Sequence, residues 1–143
     1  MTNLATIAPL SPHGAAARAA VEVHNASVVY QTADSSVHAL SQIDLRIAEG
    51  EFVSLIGPSG CGKTTLMRVI ADLEPISDGS VLVNGVSPHD ARLARAYGYV
   101  FQQAALFPWR TISDNIALPL EVMGLSKSEA AARVAENLAL VNL

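Results

Sequence analysis

Eight consecutive residues, Gly57-Pro58-Ser59-Gly60-Cys61-Gly62-Lys63-Thr64, satisfy the pattern G-x-x-x-x-G-K-[ST] at every fixed position. Each fixed residue has a physical reason. Glycines let the backbone wrap closely round a phosphate with its N–H groups turned inward. A helix starting near Lys63 adds unpaired N-terminal N–H groups and the positive end of its dipole. The lysine is then placed to reach the β- and γ-phosphates of a nucleotide, and the Thr64 hydroxyl to ligate Mg²⁺. From average composition, a chain of this length meets the pattern by accident on the order of once in a few hundred sequences.

The flanks supply the context such a loop requires. Residues 51–56 contain Phe52, Val53, Leu55 and Ile56, a short apolar run suited to a strand buried on both faces. After the loop, Leu66, Val69, Ile70 and Leu73 recur at helical spacing, and Pro75 is expected to stop that helix. Upstream, residues 21–30 are rich in β-branched side chains, and Ile43, Leu45 and Ile47 alternate with polar neighbours, which predicts half-buried strands. Residues 31–37 are polar and read as a hairpin-type connection. Residues 81–83 read as another strand followed by a tight Asn84-Gly85 turn, and residues 97–101 as a further strand leading into Gln102 and Gln103. The last third is helical in pattern. Ser126 and Glu129 form a capping box, Ala131, Val134, Leu138 and Val141 mark one apolar face, and Glu129 is spaced to pair with Arg133. Residues 1–20, rich in Ala, Ser and Pro without periodicity, are read as a disordered extension outside the fold.

Composition narrows the remaining classes. Half of the 143 residues are hydrophobic and 15% are charged, a globular balance. The net charge of −4 argues against a nucleic-acid partner, which calls for a basic surface. Mean hydropathy is +0.33, yet no stretch approaches the roughly 20 apolar residues of a spanning helix, so the hydrophobicity belongs to a core. The N-terminus lacks a signal-peptide pattern: no Lys or Arg precedes Arg18, and Pro9, Pro12 and Gly14 interrupt any apolar run. Cys61 is the sole cysteine, which rules out an internal disulfide and fits a reducing compartment. His13, His24, His38 and His89 show no metal-ligand spacing.

The loop with its flanks, GPSGCGKTT followed by Leu66-Met67-Arg68-Val69-Ile70-Ala71, resembles the Walker A region of ABC transporter ATPases. Val100-Phe101-Gln102-Gln103 resembles the Q-loop of that family. Leu106-Phe107-Pro108-Trp109, Asn115-Ile116 and Leu118-Pro119-Leu120-Glu121 are similar to importers for nitrate, sulfonate, taurine and related small solutes. The resemblance covers residues 21–143 and implies an α/β P-loop NTPase core with an N-terminal antiparallel β region and the start of a helical subdomain. It also implies ATP and Mg²⁺ as ligands. Tyr30 takes the place of the aromatic residue that stacks on adenine, with a strand-end tyrosine packed on the core as the alternative. Thr65 takes that of a second loop hydroxyl near the α-phosphate. Gln102 matches the glutamine that senses Mg²⁺ and the γ-phosphate. Phe107, Pro108 and Trp109 suit either an apolar socket for a helix of another protein or burial of Trp109 in the domain's own core. The resemblance favours the socket. The implied partners are a transmembrane permease subunit, met through residues 102–109, a second ATP-binding subunit and, indirectly, a periplasmic solute-binding protein. The implied place is the cytoplasmic side of the cell membrane, as a peripheral subunit.

The sequence also departs from the family. It carries no LSGGQ-type signature, no Walker B strand ending in Asp and the catalytic Glu, and no switch histidine. An incomplete domain is the expectation, with binding but negligible hydrolysis by these 143 residues, because phosphoryl transfer to water needs a positioned nucleophile. The alternative function is accordingly a truncated nucleotide-binding remnant uncoupled from transport. In the family the Walker B strand lies beside the Walker A strand, so an exposed edge is expected at residues 51–56. Asp72 stands where the family usually has Gly, and at a helix C-terminus it is expected to be mildly adverse. An ATPase of DNA repair or translation and a small-molecule kinase share the loop, but neither is supported by residues 101–121.

Overall fold

A computed structural model describes residues 18–32 and 35–143, in two compact units, Met1–Tyr99 and Val100–Leu143. Apart from residues 18–20, the span read as an extension lies outside the described residues. Strand β1 (Ala19–Gln31) starts just inside that span.

In the first unit, β1 pairs antiparallel with β2 (Ser36–Ala48) on one side and β3 (Asp78–Val83) on the other, giving the order β2-β1-β3. Thr32 N–H donates to the Ser35 carbonyl at 2.8 Å in the connection between β1 and β2. Register is anchored at Val23, which stands opposite Leu45 on one side and Val81 on the other. All three side chains are buried, because the alternation along each strand sends them to one face. Helix α1 (Lys63–Ile70) lays Leu66 and Val69 on that face, so the core is Val23, Ala26, Val28, Leu40, Leu45, Leu66, Val69 and Val81. The Asn84-Gly85 turn forms as expected. Both residues have positive φ, and the Val83 N–H meets the Val86 carbonyl at 2.8 Å.

Two expected strands are absent. Residues 51–56 and 97–101 join no ladder among the described residues, and Phe52 and Ile56 are 77% and 81% exposed, not buried on both faces but open as expected where the neighbouring strand is missing. A strand is defined by its neighbours: apolar composition extends the chain, but no other described strand offers these segments its hydrogen bonds.

Helix α1 also ends sooner than Pro75. Asp72 takes a left-handed φ of 49°, its N–H reaches the Val69 carbonyl at 3.1 Å, and the Leu73 N–H reaches the Arg68 carbonyl at 2.8 Å. This is the Schellman closure, with aspartate where glycine is usual. Leu73 therefore lies past the helix and is exposed. The carboxylate does not simply oppose the dipole. It accepts from Arg92 Nε at 2.7 Å and lies 3.1 Å from His89 Nδ1, both on helix α2 (Pro88–Leu93). Helix α2 is not foreseen from periodicity, since six residues are too few. Its signal was local: the Ser87 hydroxyl caps the Asp90 N–H and Pro88 occupies the first turn.

The hydrogen bond from Arg92 chiefly holds the Asp72 carboxyl below the usual carboxylate range, with His89 adding to it against partial burial. A depressed folded-state value means stability that is present above the unfolded value near pH 4 and lost as pH falls below it. Asp72→Asn, which keeps the left-handed preference, is expected to lower the thermal midpoint at pH 7 by about 1–3 °C. The deficit closes as the pH is lowered to 3, read by scanning calorimetry.

The second unit consists of α3 (Ile112–Val122) and α4 (Lys127–Leu140) with the segment that precedes them. Thr111 caps α3 through the Asp114 N–H at 3.1 Å. The capping box of α4 is present in both directions, between Ser126 and Glu129. Its buried face is Ala130 and Val134, whereas Ala131 and Val141 are exposed. Of the expected stripe, Val134 is buried and Leu138 half-buried, with Ala130 covered in place of Ala131.

Candidate functional site

The Gly-rich loop lies on the first unit, between residues 51–56 and α1. Gly62 is the N-cap of α1 with φ 97°, and no side chain caps the helix. The first N–H groups of α1 are thereby left for whatever lies before them. Gly62 has a second constraint. A Cβ there would come within 2.6 Å of the Ala39 carbonyl and 2.9 Å of Leu40 Cδ2, so only a bare Cα lets the loop sit against β2. A Cβ on Gly57 would lie 2.8 Å from Cys61 Sγ.

Lys63 folds back over the loop it follows. Its Nζ donates to the Gly57 carbonyl at 2.8 Å and the Pro58 carbonyl at 2.7 Å, and it lies 3.4 Å from Cys61 Sγ. An ammonium has three donors, so these contacts fix its position above the loop. Cys61 is buried beneath it and serves as packing. Pro58, Ser59 and Gly60 are exposed, as is Thr64 in the first turn of α1, while Thr65 is half-buried.

Tyr30 is near the end of β1, opposite Val37 of β2, and 38% exposed. Val37 stands two residues, roughly 7 Å, along β2 from Ala39, whose carbonyl backs Gly62. The tyrosine is therefore not sunk in the core, and one strand carries both its neighbour and the backing of the loop. Gln102 belongs to the second unit and is exposed, in an irregular segment.

On that unit, Trp109 is 76% exposed, not buried among the described residues. Its ring lies 5.0 Å from that of Phe107, tilted by 44°, within the range of attractive aromatic pairs. Asn115, part of the importer-like segment, makes a contact here that the sequence does not foretell. Its side-chain oxygen accepts from the Phe107 N–H at 2.7 Å and its amide nitrogen lies 3.1 Å from the Phe107 carbonyl. Spacing alone carries no signal for such a contact.

The chemistry of these residues suits a phosphate-bearing ligand. Gly57 and Gly62 let the loop pack against Cys61 and β2, α1 has no side-chain cap, and the Lys63 ammonium sits on the loop carbonyls. Uncapped helix N–H groups with a cation favour a polyanion. Among the described residues no group of His, Cys, Asp or Glu could hold a metal by itself.

The ABC transporter family model matches residues 40–143. The chain is 44% identical over 128 residues to the spermidine/putrescine import ATP-binding protein of Mesorhizobium japonicum, a match covering 88% of this chain and 35% of that protein. It is 46% identical over 118 residues to the sulfate/thiosulfate import ATP-binding protein of Pseudomonas syringae pv. tomato, covering 81% and 35%. A solved dimeric ATP-binding cassette in a post-hydrolysis state, bound to ADP and Pi, superposes with a TM-score of 0.75 at 33% identity, over 86% of this chain and 57% of that one. The chain thus spans about a third of the length of these curated relatives and has the fold of the matching part of the cassette.

Proposed function

The chain belongs to the ABC transporter family, and from that premise we propose that it binds ATP as part of the energy-coupling subunit of a small-solute importer. The observation that carries this reading is the uncapped N-terminus of α1 behind a glycine loop, with Lys63 held over it.

In this proposal the backbone N–H groups of Gly57, Ser59, Gly60, Cys61 and Gly62 form the phosphate cradle, with Pro58 supplying shape rather than a donor. Lys63 turns its ammonium from the loop carbonyls toward the β- and γ-phosphates. Thr64 holds Mg²⁺, Thr65 lies by the α-phosphate, and Tyr30 covers one face of the adenine. The metal, when bound, neutralises charge on the β- and γ-phosphates. Gln102 is the second residue proposed to sense it.

The relatives' names support import of small solutes, polyamine and sulfate among them. The finer assignment to nitrate, sulfonate or taurine rests on residues 106–121 alone. The dimeric cassette supports a second ATP-binding subunit. The exposed Phe107-Trp109 pair supports docking of a permease helix at residues 102–109. A periplasmic solute-binding protein would act only through that permease. Such a subunit works at the cytoplasmic face of the membrane, and among the described residues no helix is long and apolar enough to cross it.

Thr64→Ala tests the metal assignment. ATP affinity measured with Mg²⁺ and with EDTA is expected to differ strongly in the wild-type chain. In the variant Mg²⁺ affinity falls roughly tenfold or more, on the scale of losing a metal-supporting group. An unchanged Mg²⁺ dependence would remove Thr64 from the site.

A further inference from the structure

We propose that Asn115 is a positioning residue, which holds the Phe107-Trp109 pair in the conformation that docks an amphipathic helix of a membrane partner. The proposal rests on the docking reading given above.

Every residue from 101 to 110 keeps an exposed surface, from 38% at Phe107 to 76% at Trp109 among its large apolar side chains, so burial alone does little to fix this segment. Hydrogen bonds must do so instead. The Asn115 side chain accepts from the Phe107 N–H at 2.7 Å, and its amide nitrogen lies 3.1 Å from the Phe107 carbonyl, 3.3 Å from that of Arg110 and 2.9 Å from that of Thr111. Two amide hydrogens serve three carbonyls, so one of them is shared. One side chain thereby engages both polar groups of Phe107, as a partner strand would, and ties them to the first turns of α3. A single turn bond, from the Arg110 N–H to the Phe107 carbonyl at 3.1 Å, closes the loop between them.

The side chains carried by that loop explain why it needs holding. Trp109 and Phe107 present a tilted aromatic pair flanked by exposed Leu106 and Ile112. These apolar side chains, with exposed Arg110 between Trp109 and Ile112, suit the nonpolar face of a helix. A flexible loop would lose its freedom on docking and weaken the complex, whereas a clamped loop has lost it beforehand. Asn115 is half-buried and bonds only backbone groups of this loop and the start of α3.

Trp109 is the only tryptophan in the sequence, so its fluorescence reports the loop directly. In Asn115→Ala the fast, sub-nanosecond part of the anisotropy decay is expected to grow about twofold while far-UV helix content stays unchanged. Asn115→Asp keeps the oxygen that accepts from Phe107 and should fall between. The second arm uses the full-length protein reconstituted with its membrane subunit. There Asn115→Ala is expected to weaken association about 5- to 20-fold with Mg-ATP affinity unchanged, and Trp109→Ala to weaken it further. An anisotropy decay identical to wild type would overturn the clamp. A loosened loop with unchanged association would overturn its role in docking. Unchanged association in Trp109→Ala would sink the docking reading itself, separately from the clamp.

Discussion

Lys63→Ala is expected to lower ATP affinity roughly tenfold to a hundredfold. A hydrogen bond to a charged group contributes about 1.5–3 kcal/mol, and each 1.4 kcal/mol is tenfold in a dissociation constant. The structure sharpens the expectation, because the ammonium sits on the Gly57 and Pro58 carbonyls at 2.8 and 2.7 Å. Removing it deletes the cation nearest the loop and also two bonds that shape the loop. Lys63→Arg separates the two contributions. It keeps the charge on a larger planar head that cannot reproduce a compact ammonium, so it is expected to recover only part of the affinity. Isothermal titration with Mg-ATP reads both. Wild-type affinity in Lys63→Ala would contradict the phosphate-binding role.

Gly62→Ala is expected to destabilise the fold by about 2–6 kcal/mol, read as a lower urea midpoint with an unchanged slope. Two effects add. A φ of 97° is one that an alanine adopts only under strain, at about 1–3 kcal/mol. The added methyl also meets the Ala39 carbonyl and Leu40 Cδ2, and crowding of a packed site costs about 1–3 kcal/mol. Leu40 is fully buried in the core, so it cannot swing aside. Gly60→Ala is the control, since its φ of 77° is left-handed but a Cβ there meets nothing within 4 Å. It should lose only about 1–2 kcal/mol. Equal losses in the two variants would show that contact with β2 is not what requires Gly62.

The parts of the fold that local chemistry determines were legible in the sequence. The strand alternation around Val23 and Leu45, the start of α1 after Gly62, the Asn84-Gly85 turn and the Ser126-Glu129 box all follow from neighbouring residues, and all are present. The parts that depend on distant partners were not. Residues 51–56 read as a buried strand, but a ladder needs a neighbour that composition cannot supply. Pro75 looked like the stop for α1, whereas Asp72 ends it with a left-handed residue tied to Arg92, twenty positions on. On α4, Ala130 rather than Ala131 joins Val134 on the covered face, which depends on what packs against the helix rather than on its own spacing. At the site, the glycine loop and Lys63 were legible because the motif is contiguous. The contact between Gly62 and Ala39, and that between Asn115 and Phe107, join segments whose spacing carries no pattern.

The most direct test of the central claim, that residues 57–65 hold the phosphates of ATP, is amide NMR on the labelled chain titrated in parallel with Mg-ATP and with adenosine. The account expects Mg-ATP to move the amide signals of Gly60, Gly62, Lys63 and Thr64 in a saturable way, while adenosine leaves them in place and perturbs only the neighbourhood of Tyr30. Mg-ATP shifts that spare the loop, or loop shifts reproduced by adenosine alone, would contradict it.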